Sequence, residues 1–403
     1  GQNAPENLSG LSHIYISGDD INSSHPVVNL GGANTLELGV CSGSCNIVAC
    51  STGTTPAVSL LKTGTTTIQG NHLGVKIDGS AALTYLGSTS CLINSPGSSG
   101  IQILEPRGNV TIGGDLTSYR NIISGFGSGG LIYDDPEASA LLSVNNNYFG
   151  TNSNATNKIS TAGGNLFILD GVATIENNII AGTNTLGDVD SAGLIISTEN
   201  VNSSIEIFGN YIGTNTSLET NLGNRDAGIL VESGSVGNID IGKIDEIPNY
   251  IKFNKYHGVL NNQSFSPINI VNNVIEENVA YGIYFYRAGG APVASIINNN
   301  IIKNTKGEGN NDGYGFAAYS SNNMSINDNL FCNDDPDANN FDYPAATFFE
   351  NDNTGVILNG NSVQSTYTSG FVVPWNDTEI SIINSNFHIS PQPGVDLGLD
   401  PTL

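Results

Sequence analysis

The stretch Ile297-Asn298-Asn299-Asn300-Ile301 states a phrase that the rest of the chain repeats: an aliphatic residue, two residues of almost any kind, an asparagine, and usually another apolar residue. The same spacing occurs as Ile68…Asn71, Val144…Asn147, Ile175…Asn178, Ile207…Asn210, Ile270…Asn273, Ile326…Asn329, Leu358…Asn361 and Ile383…Asn386, and more loosely at Asn121-Ile122 and Asn249-Tyr250. From Asn121 onward the intervals between these asparagines are 26, 31, 32, 39, 24, 27, 29, 32 and 25 residues. The interval of 50 residues between Asn71 and Asn121 reads as two turns of the same period. Self-similarity at this length marks a stacked architecture.

Each unit carries a second marker, a glycine followed by a short apolar run, as in Gly100-Ile101-Gln102-Ile103, Gly193-Leu194-Ile195-Ile196, Gly228-Ile229-Leu230-Val231, Gly282-Ile283-Tyr284-Phe285 and Gly315-Phe316. Alternation with period two over a few residues predicts short strands. No long stretch has helical spacing, and 49 glycines oppose helix throughout. Asparagine tolerates left-handed backbone angles, so a single Asn can turn a sharp corner between strands. Strand, corner, strand and loop at this period predict an all-β chain wound as a parallel β-helix of roughly a dozen coils, ~4.8 Å apart and on the order of 60 Å in all. Ile297 and Ile326 then belong to an inward aliphatic column. Asn178, Asn210, Asn273, Asn300, Asn329, Asn361 and Asn386 form a ladder of side-chain amides.

The stretch Gly209-Asn210-Tyr211-Ile212-Gly213-Thr214-Asn215, continuing to Leu222-Gly223-Asn224 and Ala227-Gly228-Ile229, resembles the repeat of large secreted bacterial β-helix proteins. Ile112-Gly113-Gly114 followed by Asn121-Ile122-Ile123-Ser124-Gly125 is similar to another phrase of those repeats. The resemblance covers roughly residues 65 to 390. It implies the right-handed, pectate-lyase-like β-helix fold of large surface adhesins. That scaffold also carries lyases, hydrolases and phage spikes, so it implies little about activity.

Residues 1–60 lack the asparagine phrase and read as an N-terminal cap, residues 61–390 as the β-helix, and residues 391–403 as an exit towards a further module. Cys41, Cys45, Cys50 and Cys91 lie close together in a polar, extracellular-looking chain, which predicts two disulfides in one of three connectivities. Cys332, after Leu330-Phe331, reads as a small buried hydrophobe. Trp375 reads as a plug at the last coil.

Thirty-seven acidic against twelve basic residues give a formal charge of −25. That balance argues against nucleic acid, anionic lipid and polyanionic glycans as partners. No run is long and apolar enough to insert into a membrane. Adjacent acids at Asp19-Asp20, Asp134-Asp135, Glu276-Glu277 and Asp334-Asp335 are the candidates for a hydrolase pair. The Gly-His-Gly and Arg-Ile-Lys elements of polygalacturonase-like enzymes are absent, Tyr256-His257-Gly258 being the nearest fragment. Two acidic loops have oxygen ligands suited to structural calcium: Asp334, Asp335 and Asp337 in one, Asp188 and Asp190 in the other.

The alternation places Tyr284 and Tyr286 outward, with Tyr319 at the same offset as Tyr286 one coil away. Stacked outward tyrosines suit a glycan or a cell-surface protein; equally, they can pack across coils and stiffen the sheet. The expectation is a secreted or surface-exposed spacer and binding module. A polysaccharide-active enzyme and a subunit that assembles with further copies of itself are the alternatives.

Overall fold

In this computed structural model the described residues are 14–19, 25–33, 40–49, 55–85, 89–90, 98–184, 191–288, 294–306, 313–333, 345–350, 352–365, 369–373, 380–388 and 395–396. The chain divides into two compact units, Gly1–Leu194 and Ile195–Leu403. In both, the path repeats one circuit: a strand of a first sheet, a bend, a strand of a second sheet, a corner, a short strand of a third sheet, and a loop back.

In the first unit the second sheet is built from Val28–Gly31, Thr66–Gln69, Val110–Gly113, Leu141–Asn145 and Val172–Glu176, paired in parallel in that order. The third sheet follows with Ile47–Val48, His72–Leu73, Ile122–Ile123, Tyr148–Phe149 and Ile179–Ile180, again all parallel. In the second unit the second sheet runs Ser204–Phe208, Asn238–Ile241, Ile268–Val271, Ser295–Asn298, Asn322–Asn327, Thr354–Asn359 and Ile380–Ile383. Its first sheet includes His257–Asn262, Tyr281–Tyr286, Tyr314–Tyr319 and Ala345–Glu350. Parallel neighbours joined by crossovers of one hand give a right-handed parallel β-helix.

The core is a set of aliphatic columns. Ile239, Ile268, Ile270, Ile297, Ile326 and Leu358 are completely buried, and Ile270, Ile297, Ile326 and Leu358 are aligned by register from coil to coil. Like residues stack because the pleat gives every coil the same inward positions. Gly282 shows why the first-sheet strands start on glycine. A Cβ there would meet the Gly315 carbonyl oxygen at 2.5 Å and the Ile302 side chain at 2.7 Å.

The corner between the second and third sheets is built by two residues with separate jobs. The left-handed backbone belongs to the residue before the ladder asparagine: Asn146 (φ 59°), Asn177 (φ 56°), Asn272 (φ 57°), Asn299 (φ 54°) and Asp328 (φ 50°), or Gly70, Gly209 and Gly360. The ladder asparagine itself points inward and makes the hydrogen bonds. The expectation that one Asn does both is thus corrected.

Four further expectations change. Asn71 Nδ2 donates directly to Asn121 Oδ1 at 3.1 Å, and Ile122 pairs with His72. The interval of 50 residues is therefore one coil with a long insertion, not two turns. Asn386 is not on the ladder: it is exposed, lies inside the strand Asn386–His388 and pairs with Ser362. Leu358 pairs with Ile382 rather than Ile383, which is 47% exposed, so the equivalent position is Ser385, preceded by Asn384 at φ 50°. Within residues 1–60, read as a cap, the strands Ile14–Ser17, Val28–Gly31 and Ile47–Val48 add one strand to each sheet. Val395–Asp396, in the expected exit segment, still pairs with Phe371-Val372.

Cys41 and Cys45 form a disulfide with Cα atoms 5.4 Å apart. Cys50 and Cys91 lie outside the described residues, as does Trp375. Cys332 is half-buried on the outward side of its strand, paired with Lys303 and Gln364, while neighbouring Phe331 takes the inward position.

Candidate functional site

The outward face of the first sheet in the second unit carries an aromatic wall. Register places Tyr281 beside His257 and Tyr314, and Tyr286 beside Asn262 and Tyr319. Between them runs Leu260, Tyr284, Ala317 and Phe348. Inward on the same strands, Ile283, Phe285, Phe316 and Ala318 are buried.

Two parts of this wall behave differently. In the first, rings stack from coil to coil: His257 on Tyr281 (centroids 5.1 Å), Tyr281 on Tyr314 (5.7 Å) and Tyr314 on Phe348 (4.6 Å). Tyr284 lies 4.5 Å from Tyr281 and, with Phe348 and Val372, packs against the buried pair Tyr314 and Ala317. Ala317 is the small residue that leaves room for these rings. This part is a satellite core on the outside of the sheet, and Tyr284 belongs to it. The second part is Tyr286 stacked on Tyr319 at 5.2 Å, with the Arg287 guanidinium carbon 5.3 Å and 5.7 Å from the two ring centroids. Both tyrosines are half-exposed and Arg287 is exposed, so this part presents ring faces and a cation to solvent.

His257 begins the stacked part of the wall. Its ring touches Tyr256, Tyr281 and Tyr284, and its buried Nδ1 has no hydrogen-bond partner. Burial pushes the imidazole down to about 3, so it is neutral at physiological pH.

The sequence reading missed His257, Tyr281, Tyr314 and Phe348. The signal was present: the residue before the strand-start glycine is His257, Tyr281 and Tyr314 in three consecutive coils. Treating Gly282 and Gly315 as strand starts left their predecessors out of the pattern.

Glu276, Glu277 and Asp135 have structural partners. Glu276 meets Lys252 and Lys303 at 3.0 Å each, and Glu277 meets Lys252 at 3.6 Å and Lys306 at 3.7 Å. Lys252 is buried and also donates to the Leu218 carbonyl at 3.0 Å, fastening the 214–227 loop over the third sheet. A buried lysine between carboxylates is costly to break, and it leaves neither acid free to pair across a substrate. Asp135 Oδ2 accepts the backbone N–H groups of Ser139 and Ala140 at 2.8 Å, so this carboxylate closes a turn. Asp20, Asp188, Asp190, Asp334, Asp335 and Asp337 lie outside the described residues. Among the described residues no group of three or more His, Cys, Asp or Glu side chains is placed to hold a metal ion.

No protein-family model matches the chain, and no curated protein does. Solved structures do. The periplasmic alginate epimerase AlgG is similar over 82% of this chain and 76% of its own, at 11% identity and a TM-score of 0.42. The A-module of the Azotobacter vinelandii mannuronan C-5 epimerase AlgE6 is similar over 95% and 87%, at 13% identity and 0.39. PfbA, a surface adhesin of Streptococcus pneumoniae, is similar over 95% and 84%, at 10% identity and 0.31.

Proposed function

We propose that the chain is an extracellular spacer and binding module of a large bacterial surface protein, contacting a glycan or a partner protein through its aromatic wall. The observation that carries this reading is the pair Tyr286 and Tyr319, stacked one coil apart and roofed at one edge by Arg287. Ring faces held rigid by a sheet offer apolar contact at little conformational cost, and the hydroxyls and guanidinium offer hydrogen bonds. A formal charge of −25 turns the preference towards neutral ligands. The test is retention on immobilised neutral glycans, compared with the Tyr286→Ala/Tyr319→Ala double variant. Binding by the parent and its loss in a folded variant supports the reading; equal retention of both removes the wall from it.

A polysaccharide-active enzyme on the same scaffold is the second reading, and His257 is what favours it. A neutral imidazole beside the phenols Tyr281 and Tyr284 has the base and acid types that proton transfer uses. Turnover of neutral glycans or polygalacturonate that disappears in His257→Phe would move the assignment to an enzyme. The binding-module reading expects no turnover.

A further inference from the structure

The outward face of the second sheet in the second unit holds a hollow of about 360 Å³, away from the aromatic wall. Gly242 opens it. The column from Phe208 to Val271 passes through this residue, which has φ 85° and no room for a side chain: a Cβ would meet the Val271 carbonyl oxygen at 1.8 Å. Phe208, half-buried, lines the hollow beside Gly242.

The rim is fixed by hydrogen bonds within the protein. After Gly242 the chain leaves in a short excursion to Pro248, tied down by Asn272 Nδ2 donating to the carbonyls of Lys243 and Glu246 at 3.0 Å each. The excursion carries Lys243, whose Nζ lies 3.5 Å from Glu206 Oε2 and 5.5 Å from the Phe208 ring centroid. One coil on, Asn269 Nδ2 donates to Asp240 Oδ1 at 2.6 Å, which orients that carboxylate. At the far side Asn298 Oδ1 is buried and accepts no hydrogen bond.

We propose that this hollow is a binding site for one pyranose ring of a neutral glycan. An apolar ring face, two carboxylates, two amides and one ammonium converging on a hollow of this size match a polyhydroxylated ligand with an apolar side. The carboxylates outnumber the ammonium, which disfavours a uronate or a sulfated sugar. The pyranose C–H face lies on Phe208, and its hydroxyls bond Asp240 and Lys243. The site does not depend on the aromatic wall.

Saturation-transfer NMR with methyl glucopyranoside, methyl galactopyranoside and methyl mannopyranoside tests it on the full chain. The expected result is transfer from at least one glycoside to the parent. The dissociation constant should rise about tenfold or more in Phe208→Ala and in Val271→Phe, which fills the hollow. Thermal melts show that both variants fold, and the titrations are made in the Tyr286→Ala/Tyr319→Ala background, where the transfer that remains is the hollow's and not the wall's. No transfer from any of the three to the folded parent overturns the site. So does unchanged binding in both hollow variants, or the absence of any transfer in the tyrosine background.

Discussion

Asn300 Oδ1 accepts two hydrogen bonds from Asn273, one coil away: the backbone N–H at 3.0 Å and the side-chain Nδ2 at 3.0 Å. Asn273 Nδ2 also donates to the Ile241 carbonyl at 2.8 Å, so every group of the inward amide is used. The arrangement repeats from Asn300 to Asn329 and from Asn329 to Asn361. In the first unit it runs from Asn71 through Asn121 and Asn147 to Asn178. A second, shorter file, Asn224 to Asn254 to Asn278, lies where the chain leaves the third sheet. These bonds satisfy backbone donors at a corner that sheet pairing cannot reach.

Asn300→Ala should therefore cost far more than a surface substitution. It removes the acceptor of the Asn273 backbone N–H and the Nδ2 donor to the Ile270 carbonyl, at ~1–3 kcal/mol per buried group. Asn386→Ala, off the ladder, should be close to neutral. Denaturant unfolding of both variants checks the contrast; equal effects would contradict the register at the last coil.

Ile297→Asp places a charge in the completely buried aliphatic column between Ile270 and Ile326. No partner is there to compensate it, so the variant should not fold cooperatively. Circular dichroism melts decide: a parental transition would mean that Ile297 does not face inward.

The pH dependence of stability should carry a His257 contribution. The folded pKa is lowered to about 3, from 6.5 when unfolded, so between these values the unfolded chain binds the extra proton. The contribution is complete above pH 6.5 and is lost as pH falls towards 3, at ~1.4 kcal/mol per pH unit. Melting of the parent against His257→Phe, from pH 7 to pH 4, isolates it. The parent should lose more stability than the variant, and parallel curves would contradict the buried neutral imidazole.

Much of the fold was legible because a solenoid writes its contacts at short range: Ile270, Ile297 and Ile326 are neighbours in space and about one coil apart in sequence. The reading slipped where two residues could serve the same template. At the last coil Ile382 and Ile383 are both apolar, and the ladder position is filled by Ser385, so the nearby Asn386 attracted the pattern. The insertion after Leu73 stretched one coil to the length of two. The aromatic wall was half read, because Tyr286 and Tyr319 follow the glycine marker while His257, Tyr281 and Tyr314 precede it. The hollow at Gly242 was hidden in the 39-residue interval from Asn210 to Asn249, which also contains the 214–227 loop. A cavity made by an absent side chain leaves no hydrophobic pattern to find.

The coil register itself is open to direct measurement by paired cysteines on the outward face of the second sheet. Ile296 lies opposite Ser325, 29 residues on. The Ile296→Cys/Ser325→Cys variant should form a disulfide on mild oxidation, since its Cα atoms fall in the bonding range of ~4.4–6.8 Å. The Ile296→Cys/Asn327→Cys variant, displaced by two residues along the strand, should remain reduced. Cross-linking in the second pair and not the first would contradict the stacking on which the ladder, the wall and the hollow all depend.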